Sequence, residues 1–441
     1  MKIVHVPFCF RPDPVGGTEV YVEALAGEQR RRGMDVVVAA PAPVEGRYEL
    51  DGLEVRRFSS SVSLDLHALY GGGDMVARRA FSRLVDVEQP DIVHLHAFTP
   101  AVSAVVARDL RLREIPTVFT YHTPTASCQR GTLLRWGVEI CDGRLDVHTC
   151  AGCTLNGLGQ SKARSRVLGG LPPLLGFTIG RLGLSGGLWT ATRMTDLMRR
   201  QQQAFHTFMN SVDRIVVLCD WSARVLTTNG VPGRKLVLSR HGLPPTPRIG
   251  PRPRGEGALR IAFLGRMHPT KGPDTLIRAV RARPSAPIEL DLFGVTQDGG
   301  STNYIRDVHD LAAGDPRIRL LEPVPSGQVM DVLADYDLVA VPSRWLETGP
   351  LVVLEAFAAG LPVVGSNLGG IAELVTPGVD GVLVEPGSIE GWADALERLA
   401  TDRSELERLS RGVRSPRTIQ EVADDMQRMY HQLVPSAVVS A

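Results

Sequence analysis

One pattern runs through this chain twice, and it restricts the fold more than any other feature. Short apolar runs bounded by Gly, Pro, Asp or His alternate with longer stretches of helical spacing. In the first half the runs fall at 3–6, 36–40, 92–95, 118–121, 215–218 and 236–239, with a helical pattern over 18–32. Residues 244–257 (PPTPRIGPRPRGEG) are the stretch richest in Pro and Gly, and the alternation then restarts at 261–264, 288–293, 318–320, 338–341, 362–365 and 381–384. Strands alternating with helices build parallel, doubly wound sheets, and a Pro-rich break between two such series reads as a linker. The expectation is an α/β chain with two Rossmann-like domains, 1–243 and 258–416, joined by 244–257. A chain of 441 residues with 43% hydrophobic content suffices for two full-sized cores.

A formal net charge of +1 with no strongly basic segment argues against a nucleic-acid partner. Lysine occurs only at Lys2, Lys162, Lys235 and Lys271, which makes Lys271 conspicuous inside a motif. Met1 leads directly into an apolar run without a basic leader, and no run of 18 uncharged apolar residues follows. A cytoplasmic protein is expected. The Gly-rich apolar stretch 167–194, broken by Arg181 and Arg193, reads as a helical excursion over the first core, with weak peripheral membrane contact as its other reading.

The densest chemistry lies in 341–387. Glu347 and Glu355 stand eight positions apart around the step Gly349–Pro350. The spacing predicts a helix over 351–359 with Pro350 as its first residue, so Glu347 lies on a loop and Glu355 in the first turns. Backbone N–H groups near Gly349 and Leu351 then form an anion cradle at the positive helix end. Arg266 and Lys271 follow the run 261–264, at the strand end where α/β proteins bind ligands. A guanidinium grips phosphate oxygens in pairs and an ammonium adds a point charge. The spacing around Lys271 is not a Walker A loop, because Thr270 precedes it and no Ser or Thr follows Gly272. The triplet Asp335-Tyr336-Asp337 could hold a divalent cation, but it runs straight into a strand and is read as a turn.

In the first half, Gly16 and Gly17 precede the helical stretch and let the backbone approach a ligand closely. The loop lacks Gly-x-Gly-x-x-Gly, which excludes a dinucleotide cofactor. Glu19 reads equally as a helix-start acid. His94 and His96 share one strand face, and His122 follows the run 118–121.

These motifs together resemble the retaining glycosyltransferases of family 4, the Glu-x7-Glu type with the GT-B fold. The similarity is carried by VGGTE at 15–19, PDIVHLH at 90–96, IAFLGRMHPTKG at 261–272 and the stretch containing Glu347, Thr348, Gly349, Pro350, Leu351 and Glu355. The resemblance implies two Rossmann-like domains facing a cleft, the first on the acceptor side and the second binding the nucleotide sugar, with residues 417–441 crossing back to the first. It implies that Glu355 binds ribose hydroxyls. Glu347 would face the transferred sugar, with Arg266 and Lys271 on the diphosphate and Gly17 and 348–351 lining the donor. Gly16, Glu19 and His96 would lie on the acceptor side; for His96 a packed, hydrogen-bonded histidine is the equal alternative. His122 would line the donor sugar beside the reaction centre. Transfer would retain configuration without a protein nucleophile or a catalytic metal, the departing phosphate helping to take the acceptor's proton. The partners implied are a nucleoside-diphosphate sugar, UDP- or GDP-linked first, and a hydroxyl acceptor on a glycan, lipid-linked sugar or small metabolite. The rivals are a sugar-nucleotide epimerase or hydrolase on this fold, and a non-catalytic scaffold.

Cys128, Cys141, Cys150 and Cys153 cluster within the excursion 123–210. Four thiols with one Cys-x-x-Cys pair suggest a structural zinc, beside the alternatives of reduced thiols and disulfides.

Overall fold

The computed structural model describes residues 1–13, 16–245, 257–295 and 302–434. Most of the segment expected as a linker and residue 15 of the glycine loop lie outside the described residues. The chain divides into two compact units: Met1–Arg240 with the segment from Gln420 onward, and His241–Ile419.

The first unit is built on the strands β1 (Lys2–Val6), β2 (Asp35–Ala42), β3 (Gly46–Leu50), β4 (Leu53–Ser59), β5 (Ile92–Leu95), β6 (Thr117–Tyr121), β9 (Arg214–Val217) and β10 (Leu236–Leu238). They form one sheet in the order β10-β9-β6-β5-β1-β2-β4-β3. Every pairing is parallel except that of β3 with β4, an edge hairpin the sequence reading missed. Its outer strand, GRYEL, is charged and half exposed and lacks the apolar run by which the other strands were found. A separate two-stranded ribbon, β7 (Leu134–Arg135) with β8 (Glu139–Ile140), lies in the excursion.

The excursion continues as helices Val147–Gly157, Lys162–Gly169, Pro173–Arg181, Gly187–Thr192 and Met194–Ser211. Only part of its apolar surface is covered: Met194, Leu197 and Met198 are buried, whereas Leu174, Leu182 and Leu188 remain 72%, 70% and 70% exposed. Among the described residues no helix is long and apolar enough to cross a membrane. The last helix, Ile419–Leu433, belongs to the first unit. Arg32 donates to Asp424 at 2.5 Å, Ser239 Oγ to Asp425 at 2.8 Å, and Tyr430 is fully buried.

The second unit holds β11 (Leu259–Arg266), β12 (Ile288–Val295), β13 (Ile318–Leu321), β14 (Leu338–Val341), β15 (Val363–Ser366) and β16 (Gly381–Val384), all parallel in the order β13-β12-β11-β14-β15-β16. Alternating side chains sort into two cores, as strand geometry requires. Leu259, Ile261 and Phe263 pack with Leu276 and Trp392, whereas Ala262 packs with Val339, Val353 and Phe357. Helices therefore cover both faces of β11, and its carboxyl end emerges between them.

Candidate functional site

In the second unit, Arg266 is the last residue of β11. The chain then makes a single 3-10 turn, Pro269–Lys271, and enters the helix Pro273–Arg281 through Gly272. Gly272 has φ +70°, and a Cβ there would lie 2.2 Å from the Pro342 carbonyl oxygen. The lysine loop is thus pressed against the loop that follows β14, with Arg344 N–H donating to Thr270 O at 2.7 Å. This contact brings Lys271 Nζ to 2.6 Å from Glu347 Oε1. The same oxygen accepts from Ser343 Oγ and Trp345 Nε1, each at 2.8 Å. Glu347 is only 6% exposed. Burial alone would raise its pKa, but the charge and hydrogen bond of Lys271, with those of Ser343 and Trp345, hold it below the ordinary glutamate value. It is a buried, fully ionised carboxylate. The Lys271 ammonium also lies 5.7 Å from the centre of the Trp345 ring.

Two further close approaches fix the Glu347 backbone. Gly370 N–H donates to Glu347 O at 2.6 Å, and a Cβ at Gly370 would stand 2.7 Å from that oxygen. A Cβ at Gly349 would lie 2.9 Å from the His241 ring. His241, Ser343, Trp345 and Gly370 were not anticipated from sequence; Ser343 and Trp345 lie just before Glu347 in the chain, whereas Gly370 and His241 reach this loop only in the folded chain.

Glu355 sits in the helix Leu351–Ala358, which begins one residue later than expected, with Pro350 as the N-cap and not the first helical residue. The cap offers no side-chain acceptor, so the first N–H groups of this helix keep their capacity for an anion. Glu355 is half-buried and, among the described residues, has no hydrogen-bond or ion-pair partner. Burial pushes its pKa up to about 7. The Asp335-Tyr336-Asp337 triplet lies at the opposite end of the sheet. Asp337 Oδ2 accepts from Arg260 N–H at 2.9 Å at the start of β14, and Tyr336 donates to Asp291. Those carboxylates serve strand pairing, in line with the turn reading.

In the first unit, the carboxyl ends of β1, β5 and β6 carry a continuous series of imidazoles. Gln29 Oε1 is 2.7 Å from His5 Nε2, His5 Nδ1 is 2.9 Å from His96 Nε2, and His96 Nδ1 is 3.0 Å from His122 Nε2. His94 bonds Tyr430 at 2.6 Å and Thr120 at 2.7 Å. Burial lowers the His5 pKa to about 4, and burial with neighbouring imidazoles holds His94 and His96 well below the ordinary value. All three rings are therefore neutral. Their ring nitrogens come close enough together for a metal ion. Each, however, already faces a hydrogen-bond partner, so a hydrogen-bond network accounts for the cluster.

Proton positions follow from donor–acceptor logic. If the Gln29 oxygen accepts, His5 carries its proton on Nε2, as do His96 and His122 in turn. His122 Nδ1 is then an acceptor. His96, expected on the acceptor side, is 2% exposed and stands behind His122 as its hydrogen-bond partner. Glu19 folds back so that its Oε2 accepts from Gly16 N–H at 2.8 Å, the helix-start role weighed in the sequence. Gln29 and His5 were missed, since nothing local ties them to His122.

Cys128, Cys141, Cys150 and Cys153 all line one cavity of about 50 Å³. Burial, then the neighbouring thiols, pushes the Cys150 pKa up to about 12.

The chain matches known protein families over most of its length. The family model "Glycosyl transferase 4-like domain" matches residues 16–242, and "Glycosyl transferases group 1" matches 251–415. A D-inositol 3-phosphate glycosyltransferase of Stackebrandtia nassauensis is 35% identical over 222 residues, 47% of this chain and 47% of that protein. The chain thus spans about half the length of that relative. The enzyme of the same name from Corynebacterium diphtheriae is 27% identical over 408 residues, covering 88% of this chain and 82% of its own. Among solved structures, Anabaena HepE in complex with UDP and glucose superposes with a TM-score of 0.63 at 16% identity, covering 98% of this chain and 100% of its own. Sucrose-phosphate synthase from Thermosynechococcus elongatus reaches 0.66 at 17% identity, covering 98% of each. At such identities the structures speak for the fold alone. The first family model spans more than half of the chain, the second takes in the lysine and glutamate loops, and the chain belongs to glycosyltransferase family 4, with the GT-B fold.

Proposed function

We propose that this protein transfers a sugar from a nucleoside diphosphate to an acceptor hydroxyl, with retention of configuration and without a catalytic metal ion. The observation that carries the reading is the pairing of a buried, charged Lys271–Glu347 couple with a partnerless, half-buried Glu355 in the same unit. Glu347 uses one Lys271 N–H, leaving the ammonium two more for diphosphate oxygens, with Arg266 as the second cation. A fixed donor aimed at a leaving group whose charge grows is commonly worth about 3–4 kcal/mol of barrier. Glu355 has acceptor capacity that no protein group uses, which suits the vicinal hydroxyls of a ribose. His122, held in one tautomer by the chain behind it, orients the transferred sugar and accepts a hydrogen bond at Nδ1.

UDP is the first donor nucleotide to test, because HepE was solved with it. The name shared by the curated relatives makes a polyol phosphate the first acceptor to try. Peripheral membrane contact through Leu174, Leu182 and Leu188 belongs to the same reading, and flotation with anionic liposomes tests it.

The deciding experiment is thermal unfolding with UDP, GDP, ADP and dTDP beside a Glu355→Ala control. A ligand at a hundred times its Kd adds about 2.7 kcal/mol to the native state. One nucleotide should raise Tm in the parent protein and not in the variant. No shift with any of them removes the donor-site assignment. Turnover of the matching nucleotide sugar without any acceptor would replace transfer with hydrolysis or epimerisation. Transfer that survives EDTA supports metal independence, and a requirement for added magnesium or manganese overturns it.

A further inference from the structure

We infer that Cys128, Cys141, Cys150 and Cys153 form a tetrathiolate zinc site that staples the ribbon β7–β8 to the helix Val147–Gly157. The site is independent of the donor pocket and of the proposed reaction.

The four sulfurs come from three separate pieces of chain. Cys128 closes the short turn after β6, with its N–H donating to Pro124 O at 2.8 Å and its own carbonyl accepting from Gly131 N–H at 2.8 Å. Cys141 directly follows β8, and its N–H bonds Leu133 O at 2.8 Å. Cys150 and Cys153 are one helical turn apart and so share a face of their helix. Loop, ribbon end and helix all open onto the same cavity. Two loop ligands and two helix ligands around a small ribbon satisfy the connectivity of a four-coordinate structural zinc.

One backbone N–H already faces a sulfur: Trp136 N–H donates to Cys153 Sγ at 3.4 Å. The ribbon also needs a staple. Its strands have two residues each, and both residues of β8 are exposed, so no core of its own holds it. Leu133 and Trp136 nevertheless keep φ of +51° and +57°, a left-handed conformation uncommon for bulky side chains.

Zinc–sulfur bonds of about 2.3 Å place tetrahedral sulfurs about 3.8 Å apart. No three of these sulfurs lie within 4.8 Å of one another, since among the described residues that condition is met by the buried histidines alone. Each sulfur turns on one χ1 bond between staggered positions, and the proposed site requires the four to turn inward together on binding. Binding releases the protons of all four thiols to solvent and leaves the complex dianionic. The nearby Arg130, which donates to Cys153 O at 3.1 Å, complements that charge.

The test uses the full chain, expressed with zinc and purified without chelator. Elemental analysis should find about one zinc per chain, and X-ray absorption should show four sulfur neighbours at about 2.3 Å. Cys150→Ser should lose the metal, whereas Cys9→Ser and Cys219→Ser should keep it. If Cys150→Ser does not fold, stepwise mercurial titration of the parent protein must release the zinc only as the cluster thiols react. Iron in place of zinc, nitrogen or oxygen neighbours, six free thiols with no metal, or an intact mass showing disulfides would each overturn the site.

Discussion

Glu347 and His96 are almost equally buried, at 6% and 2% exposure, yet one keeps its full charge and the other carries none. Both stand near the carboxyl end of a parallel sheet. At the end of β14, Glu347 gathers an ammonium, a hydroxyl and an indole N–H on one oxygen, and those donors outweigh the cost of burial. At the ends of β1 and β5, the imidazoles gather one another and neutral amide and hydroxyl groups but no counter-charge, so desolvation wins. The environment that decides charge is therefore the set of partners and not depth alone. The carboxylate of the second unit is thus held charged, and the imidazoles of the first are held neutral and hydrogen-bonded.

Removing the counter-charge should break this contrast most severely. Lys271→Ala leaves a buried carboxylate without its cation, and turnover should fall roughly 10²–10³-fold. Thermal unfolding should show a loss of about 2–4 kcal/mol. Both effects should shrink in the Lys271→Ala, Glu347→Gln double variant. Equal stability of single variant and parent would show that the pair is not what sustains the charge.

Glu355 lies between the two regimes. With its pKa near 7, the free protein holds a mixture of acid and carboxylate at neutral pH. If ribose hydroxyls need the ionised form, nucleotide affinity should rise from pH 6 to 8 and then level. Glu355→Gln should lower affinity about tenfold or more and abolish that pH dependence in calorimetry. For stability the sign is opposite. The folded pKa lies above the unfolded one, so the contribution is full below about pH 4.5 and is lost as pH rises through 7. Glu355→Gln should then stabilise the ligand-free protein at pH 8 by roughly 1–3 kcal/mol, after allowing for solvent screening.

The histidine series sharpens the contrast from the acid side. The folded pKa of His5, about 4, lies below the unfolded value of about 6.5. Its stabilising contribution, about 3 kcal/mol, is present above pH 6.5 and is lost as pH falls towards 4. His5→Gln should flatten the stability profile in that window, and an unchanged profile would remove the neutral-imidazole assignment. The smallest effect is expected from Gln29→Leu, which keeps the volume but removes the amide. Turnover should drop severalfold with little change in KM for the nucleotide sugar, and ¹⁵N NMR should show mixed tautomers at His122. A single tautomer retained in that variant would show that Gln29 does not order the chain.

Much of the scaffold was legible in the sequence, for a local reason. The runs 92–95, 338–341 and 381–384 coincide with β5, β14 and β16, because turn residues bound each continuous β-branched or aliphatic run. The edge strand β3 escaped because an exposed edge needs no apolar run. The site divides the same way. Lys271, Glu347 and Glu355 lie in recognisable motifs, but that Lys271 and Glu347 pair, and that Ser343 and Trp345 share the same oxygen, does not show in the motifs. Ser343 and Trp345 sit in a loop whose course is set by contacts with Gly272 and Gly370. His5 meets His96 only because β1 pairs with β5.

The buried amide of Gln29 has a consequence of a different kind. Turned by half a rotation about its last bond, it would present N–H to His5 in place of oxygen, and every proton in the series would move to the other nitrogen. His122 Nδ1 would then be a donor where it is now an acceptor. One side chain, linked to His122 through the rings of His5 and His96, holds a single binary setting that is read at the far end. Its value survives because the interior excludes the water that could otherwise reset any ring on its own.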